Sequence, residues 1–112
     1  MWASGQMCEL REVALARKPE ALLAASAKGT VPVLVLPAGQ VIDQSLEIML
    51  WALRQNDPLG WLDGDVLRPD MRLWVAECDG TFKFHLDRYK YPNRFGLPEG
   101  TDHRAQGAIF LD

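Results

Sequence analysis

Gln44 and Ser45 are the residues whose types and position most plainly offer chemistry. They follow Asp43 and directly precede Leu46 to Leu53, a run with one charged residue and no Gly or Pro, so a capped helix starts here. The first amides of a helix lack intrahelical acceptors and sit at the positive end of its dipole, which together suit a carboxylate. Ser45 can anchor such an anion or serve as a plain N-cap, and the two roles can coexist. The Gln44 side-chain oxygen can accept a hydrogen bond but carries no charge, which Asp43 beside it would supply. The remaining reactive types carry less. Cys8 and Cys78 are far apart and no C-x-x-C occurs, so a disulfide, a zinc site and a dithiol motif lack support and both read as buried thiols. Around His85, the spacing of Asp79 with Lys83 and of Lys83 with Asp87 suits i, i+4 pairs on a solvated helix face that also carries Arg88 and Lys90. His103 lies near a helix start. A zinc site from His85, His103 and a Cys has no supporting spacing.

The elements that must position Gln44 and Ser45 are legible around them. Val33 to Leu36 is a short β-branched, apolar run, Pro37 to Gln40 a turn containing Gly, and Val41-Ile42 a second short strand, so a β-hairpin delivers the chain to the helix. The helix from Ser45 to Arg54 is apolar nearly all round apart from Glu47, which predicts burial on two sides. Upstream, Met1 to Gly5 resembles the last turn of a helix ended by Gly, and Cys8 to Val13 alternates as a half-exposed edge strand would. Pro19 opens a short helix through Ala25 that Lys28-Gly29 ends. Downstream, Gln55 to Pro69 carries Asp57-Pro58, Gly60, Gly64 and Pro69 and reads as a linker tacked down by Trp61 and Leu62. Met71, Val75, Cys78, Phe82, Leu86 and Tyr89 then form a helical stripe running past Gly80, which marks either a close packing contact or a bend. Tyr91-Pro92-Asn93 ends that helix, Phe95 to Thr101 is a loop, and Asp102 starts a last helical segment.

Composition narrows the classes. The 112 residues suit one ordinary domain, and 48% hydrophobic with 24% charged is ordinary globular usage. A net charge of −3, a pI near 5.3 and no run of Lys and Arg disfavour nucleic acid as a partner. No apolar run approaches the roughly 18 to 20 residues that cross a bilayer, and MWASGQMCELRE lacks a basic n-region and an apolar h-region. A cytoplasmic protein without a membrane partner is expected.

The order strand, turn, strand, capped helix, with Thr30-Val31-Pro32-Val33 at its entrance, resembles the second half of the thioredoxin-like N-terminal domain of glutathione S-transferases. CDGTFKFHLDRYKYPNR and DHRA resemble a bacterial branch of that family. The resemblance implies an α/β thioredoxin-like domain over 1–54, a linker over 55–69 and the beginning of an all-α C-terminal domain over 70–112. It implies a cis Val31-Pro32 bond, the isomer that X-Pro alone adopts at small cost, with the backbone of Val31 pairing with the cysteinyl part of glutathione. It places Gln44 and Ser45 on the γ-glutamyl end, Gln44 standing where most relatives have an acidic residue. Lys28 meets the glycyl carboxylate on this reading, or is a solvated Lys at a helix end. His85 and Tyr89 would line the pocket of a small hydrophobic electrophile. Glutathione is the implied substrate, no metal is implied, and a homodimer is common in the family.

The family lowers its thiol pKa with a Ser, Tyr or Cys around the first strand and first helix. Met1 aligns near the end of that helix, so the first strand and most of the first helix have no counterpart and the catalytic residue is unknown. The C-terminal domain is expected to be truncated as well. A glutathione-conjugating enzyme and a non-catalytic binding or assembly module of the same family are both open, and the chain alone is expected to lack appreciable turnover.

Overall fold

Leu34–Val35 (β1) and Val41–Ile42 (β2) pair antiparallel, Leu34 opposite Ile42 and Val35 opposite Val41, in a computed structural model that describes residues 1–98 and 102–112. The turn closes through Leu36 N–H to the Gln40 carbonyl and Gly39 N–H to the Leu36 carbonyl, both 2.8 Å. Gly39 has φ +88°, a conformation that L side chains resist. Val31-Pro32 is cis at the entrance to this hairpin. The chain divides into two units, Met1–Leu67 and Arg68–Asp112.

In the first unit, α1 runs Glu20–Ala25 with Pro19 at its N-cap and ends at Ser26, whose N–H bonds the Leu22 carbonyl at 2.9 Å. Gly29 then turns with φ +59°, a backbone conformation that L side chains rarely adopt, and a Cβ there would stand 2.9 Å from Leu23 Cδ2. The main helix, α2, spans Ser45–Gln55. Ala52 and Leu53 are buried, Ile48, Met49, Leu50 and Trp51 only half-buried. Full burial on two sides is therefore not reached, because no second layer covers the middle of the helix within this unit. At its far end, Asn56 Nδ2 donates to the Ser4 carbonyl at 2.9 Å, fixing the 3₁₀ turn Trp2–Ser4 that Gly5 (φ +69°) terminates. Ser4, whose hydroxyl donates to the Met1 carbonyl at 2.8 Å, is buried there.

Two expectations for Cys8 to Val13 are corrected. Cys8 to Val13 takes part in no strand pairing, since β1 pairs with β2 alone among the described strands, and Cys8 through Glu12 are exposed. Alternation suits a segment to a strand, but a strand also needs a partner edge. Cys8 is accordingly an exposed thiol rather than a buried one, and Cys78 is half-buried. The stretch read as a linker also folds. Leu62–Asp63 (β3) and Val66–Leu67 (β4) form a second hairpin, with Leu67 buried, and the division between units falls at Leu67/Arg68. The Asp57 carboxylate accepts the N–H groups of Leu62 (2.8 Å) and Trp61 (3.0 Å), which hold it below the ordinary carboxylate range. Arg54 donates to the Asp65 carbonyl from Nη2 (3.0 Å) and Nε (3.2 Å), tying the hairpin turn to α2.

The second unit begins with α3, Pro69–Glu77, Pro69 occupying the first turn where its missing N–H is harmless. The helix continues through a π turn, Cys78–Phe82, into α4, Lys83–Lys90. The stripe from Met71 to Leu86 is half-buried as expected, whereas Tyr89 is exposed. Gly80 lies inside the π turn, and a Cβ there would meet nothing within 4 Å, so it marks no close contact. Tyr91 breaks the helix, Pro92–Phe95 forms a 3₁₀ turn, and α5 spans His103–Leu111. The loop expected from Phe95 to Thr101 thus begins after Phe95, and residues 99–101 lie outside the described residues. Phe110 of α5 stacks on Phe82 (centroids 4.8 Å) and takes Trp74 edge-on at 5.6 Å. No helix among the described residues is long and apolar enough to cross a membrane.

Candidate functional site

A helix does start where the sequence predicts it, with one change of role. Gln44, not Ser45, is the N-cap, and Ser45 is the first helical residue. The first intrahelical bond runs from Ile48 N–H to the Gln44 carbonyl at 2.9 Å, so the amides of Ser45, Leu46 and Glu47 precede the ladder. No side chain caps them. Glu47, in the first turn, sets a carboxylate near the same positive end and partly offsets it.

Asp43 is more than a neighbour of these residues. Its Oδ2 receives the Lys28 ammonium at 3.2 Å and the Ser26 hydroxyl at 3.2 Å, linking the loop after α1 to the entry of α2. The hydrogen bond from Lys28, with a smaller one from Ser26, holds the Asp43 carboxyl below its ordinary range against the opposing effect of desolvation. Lys28 is thus neither a free cation nor only a solvated one: it is tied to Asp43 while its side chain stays about half exposed. Ser26 has no place in the sequence reading. Its hydroxyl meets Asp43 across a separation of 17 residues, which no spacing reveals.

Val31 is 47% exposed and stands outside the β1–β2 ladder, which leaves its peptide groups open to an extended partner. Pro32, also exposed, leads through Val33 into β1. An open depression of about 340 Å³ lies along β2 and α2, lined by Gln40, Asp43, Gln44, Glu47, Trp51 and Arg54 among others. Gln44 borders it. Lys28, Val31, Pro32 and Ser45 do not. Apart from Arg54, its charged groups are carboxylates.

The two residues expected at an electrophile pocket separate. His85 lines a hollow of about 80 Å³ with Glu77, Thr81, Phe82, Gln106 and Phe110, while Tyr89 is 51% exposed and lines none of it. Such a hollow is small beside the roughly 300 to 1,000 Å³ of ligand pockets. His85 instead meets His103, Nδ1 to Nδ1 at 2.8 Å. Among the described residues no group of three or more His, Cys, Asp and Glu could hold a metal ion.

Against this geometry, the comparisons with known proteins are specific to the first unit. Residues 8–55 match the family model of the glutathione S-transferase N-terminal domain, less than half of the 112 residues. The match supports a relationship to the glutathione S-transferases, and a thioredoxin-like α/β start followed by helices fits both the match and the mixed elements seen. No curated protein and no solved structure matches the chain.

Proposed function

We propose that this is a glutathione S-transferase-like protein whose first unit binds glutathione at the hairpin entrance and the start of α2. The observation that carries the reading is positional: the family match over 8–55 includes both the cis Val31-Pro32 step and the unpaired amides that begin α2. The cysteinyl part of the peptide lies along the Val31 backbone, with Pro32 fixing the direction of that segment. The γ-glutamyl carboxylate takes the Ser45 amide and hydroxyl, and the Gln44 side-chain oxygen accepts from the peptide's amino group. The glycyl carboxylate draws on Lys28 in competition with Asp43, so Lys28 contributes less than a free cation would.

Conjugation needs more than holding the thiol. A free thiol has a pKa of about 8.5, so thiolate is a minor form at neutral pH unless the protein stabilises it. Lys28, the cation assigned to the bound peptide, is engaged by Asp43, and no residue is assigned to the thiolate. This favours binding without thiol activation by the 112-residue chain and leaves the catalytic residue unassigned. A small hydrophobic electrophile would meet His85, which borders the hollow, and Tyr89, exposed on the same helix.

Isothermal titration of the chain with glutathione tests the reading. Ser45→Ala should weaken binding about tenfold or more, the usual scale for losing a hydrogen bond to a charged group. Equal affinity would leave Ser45 as a helix-starting residue only. With a chromogenic aryl halide, turnover should stay near the uncatalysed rate; rapid conjugation would require a thiolate stabiliser within the chain.

A further inference from the structure

His85 on α4 and His103 on α5 are eighteen residues apart in the chain and meet through their Nδ1 atoms at 2.8 Å, partly buried. Both atoms belong to the same kind of group, so the contact is a hydrogen bond only when one Nδ1 carries a proton and the other is bare. It is the one side-chain hydrogen bond that joins α4 to α5 among the described residues. The helices are close at this place. Gly107 is buried, and a Cβ there would stand 3.6 Å from His85 Cβ. Phe84 sets its ring edge-on to both imidazoles, centroids 5.1 Å from His85 and 6.0 Å from His103, and carries the Arg88 guanidinium 3.5 Å from its own ring centre.

We propose that the His85–His103 contact is a proton-sensitive clasp that holds α5 on α4 at neutral pH and releases it on acidification. When both imidazoles are cationic, both Nδ1 atoms are donors and face each other without an acceptor, with like charges in contact. Histidine is the side chain suited to such a proton-driven change under mild acidification. Charged groups of both signs lie on the neighbouring elements. Glu77 of α3 borders the hollow beside His85. Asp79 lies in the π turn, Lys83, Asp87 and Arg88 lie on α4, and Asp102 and Arg104 flank His103. Arg94 of the 3₁₀ turn sits over Tyr91. None of these bonds or pairs with either imidazole among the described residues, and Arg88 adds positive charge on the Phe84 ring. Release would open the Phe82–Phe110 stack, baring apolar surface that α5 covers at neutral pH.

The sign is fixed by proton counting. One added proton leaves a cationic Nδ1–H that can still donate to the bare Nδ1, and only when both Nδ1 atoms carry protons is there no acceptor. That last proton is taken up by the open form and not by the clasped one, so the α4–α5 packing is lost on the acidic side. The test is amide hydrogen exchange of the whole chain between pH 7.5 and 5, corrected for intrinsic rates. Protection of α5 should fall about tenfold or more across this range. His85→Asn places a side-chain amide near the Nδ1 position that can donate to a neutral His103 or accept from a charged one, so it should keep α5 protected at both pH values. Unchanged protection of the natural chain at pH 5, or the same loss in His85→Asn, would overturn the proposal.

Discussion

At the scale of single residues, Asp43 shows how the site is held before any ligand arrives. Lys28 and Ser26 both reach Oδ2, and their hydrogen bonds keep the carboxyl below its ordinary range. A carboxylate with a depressed folded pKa contributes stability above its unfolded value near 4, and loses it as pH falls through the lower folded value. The Ser26–Asp43–Lys28 link should therefore persist from neutral pH through about pH 4 and fail only in stronger acid. This lies below the window assigned to the histidine clasp, so the two transitions are separable. A carbon-detected titration of the Asp43 carboxyl should show a low midpoint that rises in Lys28→Ala; an identical midpoint in the variant would remove Lys28 as the cause. Part of this arrangement was legible in the sequence. Asp43, Gln44 and Ser45 announce a helix start, but which of them caps it depends on backbone angles that residue types alone do not set.

At the scale of elements, local signals and long-range pairing part company. The β1–β2 hairpin and α2 are readable because a β-branched run, a turn with Gly39 and an uninterrupted apolar helix each specify their own backbone. The alternation of Cys8 to Val13 suits a strand, yet the pairing that would make it one is non-local and does not form. The β3–β4 hairpin did have a signal: Gly64-Asp65 between two short apolar-ended segments suits a two-residue turn, and Gly64 has φ +63°. Its Gly and Pro content hid it as a linker. The continuous stripe past Gly80 was readable, while the π turn was not, since its extra residue per turn leaves little trace in the spacing of apolar side chains. With no atom within 4 Å of a Cβ at Gly80, Gly80→Ala should be tolerated and should stabilise the second unit by up to about 1 kcal/mol in thermal unfolding. A clear loss of stability would mean that the turn needs the freedom of Gly.

At the scale of the whole molecule, the two units carry separate features. The first holds the family match, the cis Val31-Pro32 step and the open amides of α2; the second holds the histidine contact and its aromatic surround. The pair His85 and His103 left no mark in the sequence, because a contact between helices depends on how the chain returns after Tyr91. Failure of the clasp would leave the glutathione reading untouched, and the converse also holds. The most direct test of the central claim is a titration of the isotopically labelled chain with glutathione, following every backbone amide. The account predicts saturable shifts concentrated at Val31, Gln44, Ser45 and Leu46, with Lys28 and Asp43 moving in step. No saturable change, or shifts confined to residues 68–112, would contradict it.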